Sequence, residues 1–248
     1  MKQKIRDSSN INGADNKRKR GFIFKVRIPK NSLLETIAQA LVRIQNSLVQ
    51  RVVISGVGFL PLDSIRLGTT YGGWWVPKYI LNRPNDWIVV SCGLGYDISF
   101  DRDLSRLGFS IIGVEFSYES ILYLQESESI PAGMSVIHAR VGSKSEDDFN
   151  LSKISNMASN SKPGAKLMLK MDIEGSEFEF LLPAYSLETY PEVLMFELDF
   201  LSLVPFLNVK QRVQRTCSVL SMMRKLSKVG YRIYQMENWN IHFVKFHK

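Results

Sequence analysis

The stretch Trp87–Glu115, WIVVSCGLGYDISFDRDLSRLGFSIIGVE, constrains the fold more than any other part of the chain. It reads as strand, glycine turn, helix, strand. Trp87 to Ser91 is a short β-branched apolar run, Gly93 and Gly95 turn the backbone, and Asp97 or Ser99 can cap a helix whose apolar residues Ile98, Leu104 and Leu107 share a face. Gly108 is placed to stop that helix. A second buried strand is expected over Phe109 to Val114. It delivers Glu115 at roughly the 20-residue spacing at which an acid meets a ribose hydroxyl in nucleotide-binding βαβ units. The pattern predicts a unit that holds a nucleoside.

The rest of the chain supplies alternating strands and helices. Residues 1–20 form a polar, basic tail, and 21–85 are expected as an N-terminal cover with a strand over Gly21 to Ile28, an amphipathic helix over Ser32 to Val49 and a strand over Arg51 to Phe59. Asn82 to Asp86, NRPND, is a turn cluster at the junction to the main domain, 86–248. There, helices are expected over Tyr118 to Glu126, Leu151 to Met157, Phe178 to Leu187 and Val209 to Val229, and strands over Ser135 to Val141, Lys166 to Met171 and Glu192 to Phe200. Tyr231 to Met236 and Ile241 to Phe246 alternate in polarity around ENWN and read as a hairpin. Strands alternating with helices predict a Rossmann-like α/β fold with a mostly parallel seven-stranded sheet. The closing hairpin adds an antiparallel strand, as in methyltransferase sheets and unlike a sheet that binds a dinucleotide.

The net charge of +8 can attract phosphates, but part of it sits in Lys17 to Arg20, where no interleaved aromatics suggest a nucleic-acid site. No apolar run reaches the roughly 20 residues of a spanning helix. With no signal-peptide pattern at the N-terminus, a cytoplasmic protein without a transmembrane segment is expected. Two cysteines, Cys92 and Cys217, make neither a disulfide framework nor a metal knuckle.

Three clusters carry chemistry. Gly93 and Gly95 let a ligand approach the backbone at a helix start. A dinucleotide would call for a small residue at position 98, and the chain has Ile98. Asp97 would repel a pyrophosphate but suits the ammonium of a methionine moiety, which favours S-adenosylmethionine; equally, it is a plain helix cap. The candidate cofactor contacts are Ser91, Gly93, Gly95, Asp97, Glu115 and Phe116. In KMDIEGSE, Asp172, Glu174 and Glu177 follow a strand end, where the ligands of open α/β sheets bind. Asp172 and Glu174, the catalytic candidates, can share a direction and could orient a substrate hydroxyl, accept its proton or bind a divalent metal; no metal site is assigned. Glu177 can equally open the next helix. Trp74, Trp75, Glu197 and Asp199 are candidates for the acceptor wall. Adjacent indoles in extended chain point opposite ways, so one of the two tryptophans can line a pocket; equally, both can seal the N-terminal cover against the sheet. For Glu197 and Asp199 the plain alternative is a salt bridge to Lys170, and for His138, His242 and Cys92 it is ordinary packing.

Together VVSCGLGYD, Glu115, KMDIEGSEFEFL and FELD resemble the FkbM-type branch of class I S-adenosylmethionine-dependent methyltransferases, over about Leu67 to Phe200. YGGWWVP ahead of the glycine string is similar to a subgroup related to that branch. The resemblance implies S-adenosylmethionine as donor and O-methylation of a hydroxyl on a sugar or other natural product. The chain departs from the pattern at Ser91, usually an acid, at Asp97, usually a third glycine, and at Asp199, often a histidine. Those departures leave a non-catalytic module of the same fold as one alternative. An NAD-dependent enzyme is another.

Overall fold

The computed structural model describes residues 44, 47–127, 129–142, 145–173, 177, 191–198 and 209–246. The expected strand over Gly21 to Ile28, most of the helix over Ser32 to Val49, the helix over Phe178 to Leu187, and Glu174 and Asp199 lie outside them.

A helix, α1 (47–57), leads into a two-stranded antiparallel hairpin, β1 (Ser64–Leu67) and β2 (Trp74–Pro77), and a single helical turn, α2 (Lys78–Leu81). The main sheet begins at β3 (Trp87–Cys92), followed by α3 (Ser99–Arg106), β4 (Ser110–Glu115), α4 (Tyr118–Glu126) and β5 (Met134–His138). Then come α5 (Leu151–Ser161), β6 (Lys166–Met171), β7 (Val193–Glu197), a C-terminal helix (Val209–Lys228), and the hairpin β8 (Tyr231–Glu237) and β9 (Asn240–Lys245).

Seven strands form one sheet in the order β5-β4-β3-β6-β7-β9-β8. β3 to β7 run parallel, and β9 inserts antiparallel between β7 and β8. The reversed strand is the antiparallel ending expected of the closing hairpin. Because β4 and β5 lie on one side of β3 while β6 and β7 lie on the other, the chain changes direction between β3 and β6. A crevice opens there at the carboxyl ends of the strands.

Period-two alternation divides the core between the two faces of the sheet. Ile88, Val90, Cys92, Leu169 and Phe196 face one way, packed with α1, α5 and the C-terminal helix. Trp87, Val89, Met168 and Met195 face the other way, under α3 and the β1–β2 hairpin, whose Trp74 and Val76 are buried against them. On this second face the alternation turns polar toward the strand ends, at Ser91, Lys170, Glu197, His242 and Asn240. Each fully buried aliphatic side chain contributes on the order of 1.5–3 kcal/mol to holding these layers together.

Three expectations change. Residues 51–57, read as strand, are helical: Val49, Val53 and Val57 form one buried stripe at helical spacing, while Arg51, Val52 and Ser55 are exposed, and only Phe59 makes a strand-like bridge, to Ile233. Burial of that stripe beside the C-terminal helix overrides the β preference of the Val-Val-Ile run. Leu107 does not share the buried face of α3; it is exposed past the helix end, and Phe100 and Leu104 fill the core instead. Neither Asp97 nor Ser99 occupies the cap position of α3, which is Ile98, although the Asp97 side chain does accept the Ser99 N–H. No helix among the described residues is long and apolar enough to cross a membrane.

Candidate active site

A cleft of about 1100 Å³ lies at the switch point. Its floor is set by the two strand ends that meet there. The Asp172 N–H donates to the Cys92 carbonyl at 2.9 Å, which continues the β3–β6 ladder one step beyond the strands. Gly93 then turns away with φ +75°, and a Cβ on it would stand 1.7 Å from the Asp172 carbonyl oxygen. Only glycine fits. Gly95 also has positive φ, +55°, but a Cβ there would meet nothing within 4 Å, so this part of the turn opens as a cradle into the cleft. Ile98 and Leu94 close the turn from behind, packed on Leu124 of α4.

Glu115 locks the turn. It is 8% exposed, and its Oε2 accepts the N–H groups of Leu94 (2.8 Å) and Gly95 (3.0 Å) while Oε1 accepts that of Ser117 (2.6 Å). A carboxylate has about four lone-pair sites, so roughly one remains for a ligand hydroxyl. Ser117 goes on to cap α4, its Oγ accepting from the Ser120 N–H. Phe116 projects between these two residues and lines the cleft, largely exposed.

Asp97 lines the cleft mouth, but its carboxylate is held by the accessory hairpin. Oδ2 accepts from the Thr69 hydroxyl at 2.6 Å and Oδ1 from the Ser99 N–H at 2.9 Å, and Gly72 packs so close that a Cβ would lie 2.7 Å from the carboxylate. Partial burial works against its charge, yet the hydrogen bonds from Thr69, Ser99 and Gly72 outweigh it and hold the carboxyl below its ordinary value. Thr69 N–H and Gly68 N–H reach further along α3, to Ser99 Oγ and Asp103 Oδ2. From the other side the hairpin is tied to β8 and β9. Arg66 Nε and Trp75 Nε1 both donate to Glu237 Oε2 (3.1 and 3.0 Å), and the Tyr234 hydroxyl donates to the Trp75 carbonyl.

Of the sequence candidates, Gly93, Gly95, Asp97, Glu115, Phe116, Asp172, Glu197 and Trp74 all line this one cleft. Two do not. Ser91 is fully buried beneath it, on the face covered by α3, and Trp75 stays outside the lining with its indole N–H donating to Glu237, so Trp74 is the indole that lines the site. Glu177 is buried and accepts the Ile173 N–H at its Oε1. Cys92 is a core residue whose thiol burial pushes up to about 12. His138 bonds the Phe116 carbonyl beside the site, and His242 is buried under the hairpin.

Sequence reasoning missed Lys170, Arg66, Glu237, Asn238 and Asn240, all on the cleft wall. Lys170 left a trace, a lysine inside the apolar run KLMLKM. The others arrive from the hairpins, whose positions against β6 and β7 no local pattern encodes. Among the described residues, five carboxylates line the cleft (Asp97, Glu115, Asp172, Glu197, Glu237) against three cations (Arg66, Arg140, Lys170), so this lining is net acidic although the chain is net basic.

No family model matches the chain, and no curated protein matches it. Among solved structures it is similar to a chain of a fibrillarin/Nop5p complex, at 16% identity and a TM-score of 0.40, over 65% of this chain and 74% of that one. It is also similar to a Staphylococcus aureus protein assigned as a caffeoyl-CoA O-methyltransferase, at 11% identity and 0.39, over 87% and 100%. A third, from Pyrococcus horikoshii and assigned as an RNA methyltransferase, has 13% identity and 0.36, over 79% and 96%. At such scores the likeness is coarse, and strand order and cleft geometry carry the fold and the site.

Proposed function

We propose that this chain is an S-adenosylmethionine-dependent methyltransferase acting on a hydroxyl of a sugar or other small natural product. The observation that carries the reading is the acid-lined cleft at the switch point, with an open glycine cradle braced by Glu115. A cleft rich in carboxylates favours a sulfonium cation and disfavours the two phosphates of a dinucleotide. What supports the acceptor class is the motif resemblance to FkbM-type enzymes. S-adenosylmethionine, when bound, supplies an already activated methyl group. The protein's tasks are then positioning and proton removal. Gly93, Gly95 and Asp97 hold the methionine end, and Glu115 with Phe116 holds the nucleoside. Asp172, with Glu174, faces the acceptor and takes or directs its proton, while Trp74, Glu197 and Asp199 wall the acceptor side. Ser91 and Trp75 act from behind, Ser91 under the turn and Trp75 through Glu237.

Transfer of tritiated methyl groups to glycans, lipids and small hydroxylated metabolites tests this, with Asp172→Asn as the key variant. Its turnover should fall about 10²-fold or more while affinity for S-adenosylhomocysteine holds, because a general base touches the acceptor and not the donor. Unchanged turnover removes Asp172 from that role. One observation favours a second reading, a non-catalytic module of the same fold: the Asp97 carboxylate is already taken by Thr69 and Ser99. S-adenosylhomocysteine found with the purified protein by mass spectrometry argues against that reading.

A further inference from the structure

Lys170 is a buried cation where its face of the sheet turns polar. It lies in the sheet interior, in register with Ser91 of β3 on one side and Met195 of β7 on the other, and is 4% exposed. Withdrawing an ammonium from water is strongly unfavourable unless acceptors or an anion compensate it. Here the compensation is partial. Nζ donates to the Gly93 carbonyl at 2.7 Å and sits 5.7 Å from the centroid of the Trp74 ring. Among the described residues no carboxylate comes within ion-pair distance; the buried Asp101 interacts with it only as a more distant charge. An ammonium carries three N–H donors. One goes to Gly93 and the indole face screens another side, which leaves a donor for whatever enters the cleft that Lys170 lines.

We propose that Lys170 receives the carboxylate of the methyl donor's amino-acid end, with the same ammonium that braces the Gly93 carbonyl. The assignment rests on the S-adenosylmethionine reading above. Three features single out that group. Lys170 is bonded to the first residue of the glycine turn, so an anion on it lies beside the cradle that takes the donor. The donor has only one anionic group. Among the described residues the lining around Lys170 is net acidic, which tolerates a carboxylate that brings its own ammonium but repels a free polyanion. Lys170 therefore makes the site selective for nucleosides that keep the amino-acid carboxylate.

Calorimetry on the full chain tests this with two ligands, S-adenosylhomocysteine and its decarboxylated analogue, and three proteins, the wild type, Lys170→Met and Lys170→Arg. A charge-assisted hydrogen bond corresponds to roughly 10- to 100-fold in affinity. The wild type should prefer the carboxylate-bearing ligand by that factor. Lys170→Met should lose the preference and bind both alike, and Lys170→Arg should keep part of it. A ratio in Lys170→Met equal to that of the wild type overturns the assignment even if both affinities drop, since a merely displaced glycine turn weakens both ligands together. Equal wild-type affinity for the two ligands overturns it with no variant needed, should Lys170→Met fail to fold. Wild-type protein that binds neither ligand overturns the methyl-donor reading and this assignment with it.

Discussion

Gly93 and Gly95 sit two residues apart in one turn, yet different forces require them. At Gly93 both terms act, positive φ and a carbonyl from the neighbouring strand where the Cβ would be. At Gly95 only the φ term acts. Left-handed backbone costs a non-glycine residue about 1–2 kcal/mol. Gly95→Ala should therefore lower stability by about that amount in urea unfolding. Gly93→Ala should cost well beyond it and abolish nucleoside binding, because the β3 and β6 ends must part to admit the methyl group; equal losses would sink the distinction. A G-x-G turn after a strand is legible in sequence. That the constraint at Gly93 comes from Asp172 is not, because it exists only once β6 lies against β3. Glu115 divides in the same way. Its place at a strand tip follows from the buried apolar run before it, whereas its three backbone donors depend on how the turn closes. Ser91 shows the converse, a position chosen by motif alignment that ordinary strand alternation turns into the sheet, away from the cleft.

Among elements, the β1–β2 hairpin is the one whose role sequence foreshadowed only in part. Two adjacent indoles on extended chain must diverge, and they do, Trp74 toward the cleft and Trp75 toward Glu237. The pattern does not reveal that the turn between the strands clasps the start of α3. Thr69 is the centre of that clasp. Its hydroxyl donates to Asp97, its Oγ1 accepts the Gly72 N–H at 3.0 Å, and Arg66 donates to the carbonyls of Thr69 and Thr70. Thr69→Val keeps the shape and removes these two hydroxyl bonds together with a longer one, 3.4 Å, that Oγ1 accepts from Ser99 Oγ. At the usual net value of about 0.5–1.5 kcal/mol per hydrogen bond, it should lower stability by about 1–3 kcal/mol. Amide hydrogen exchange should quicken at residues 68–73 while the β3–β6 ladder stays protected. Uniform quickening over the sheet would mean that the hairpin is no separate clasp. Helix α1 teaches the opposite lesson. Val52, Val53 and Ile54 suggest a strand locally, and only the partner helix, remote in sequence, decides otherwise.

At the scale of the whole molecule, the alternation of strands and helices and the closing hairpin make a mostly parallel sheet with an antiparallel ending legible. What that pattern cannot convey is how β9, inserted beside β7, carries His242 beneath the accessory hairpin. His242 is fully buried between Trp74 and Tyr234, with ring centroids 5.5 and 5.8 Å away, and its Nε2 accepts the Trp75 N–H at 3.2 Å. That bond needs a lone pair on Nε2, so Nδ1 carries the proton and donates to the Gln235 carbonyl. Burial, outweighing the Gln235 carbonyl and the Glu237 carboxylate, pulls the imidazole down to about 4. Its ordinary value in the unfolded chain is about 6.5. Between those two values the unfolded chain binds a proton that the folded one refuses, so stability is full above pH 6.5 and falls as the pH drops toward 4. The expected loss is about 3 kcal/mol. Asp97, Glu237 and Asp101 act elsewhere or with the opposite sign. Asp97 and Glu237, both held low, surrender their contribution only below the ordinary carboxylate range. Asp101, pushed up by burial, favours the fold as it protonates. Urea unfolding at half-unit steps from pH 7.5 to 4.5 should show the decline in the wild type. In His242→Gln, which keeps an acceptor for Trp75 and has no imidazole to protonate, most of it should vanish. A variant with the wild-type slope would assign the acid sensitivity to some other group.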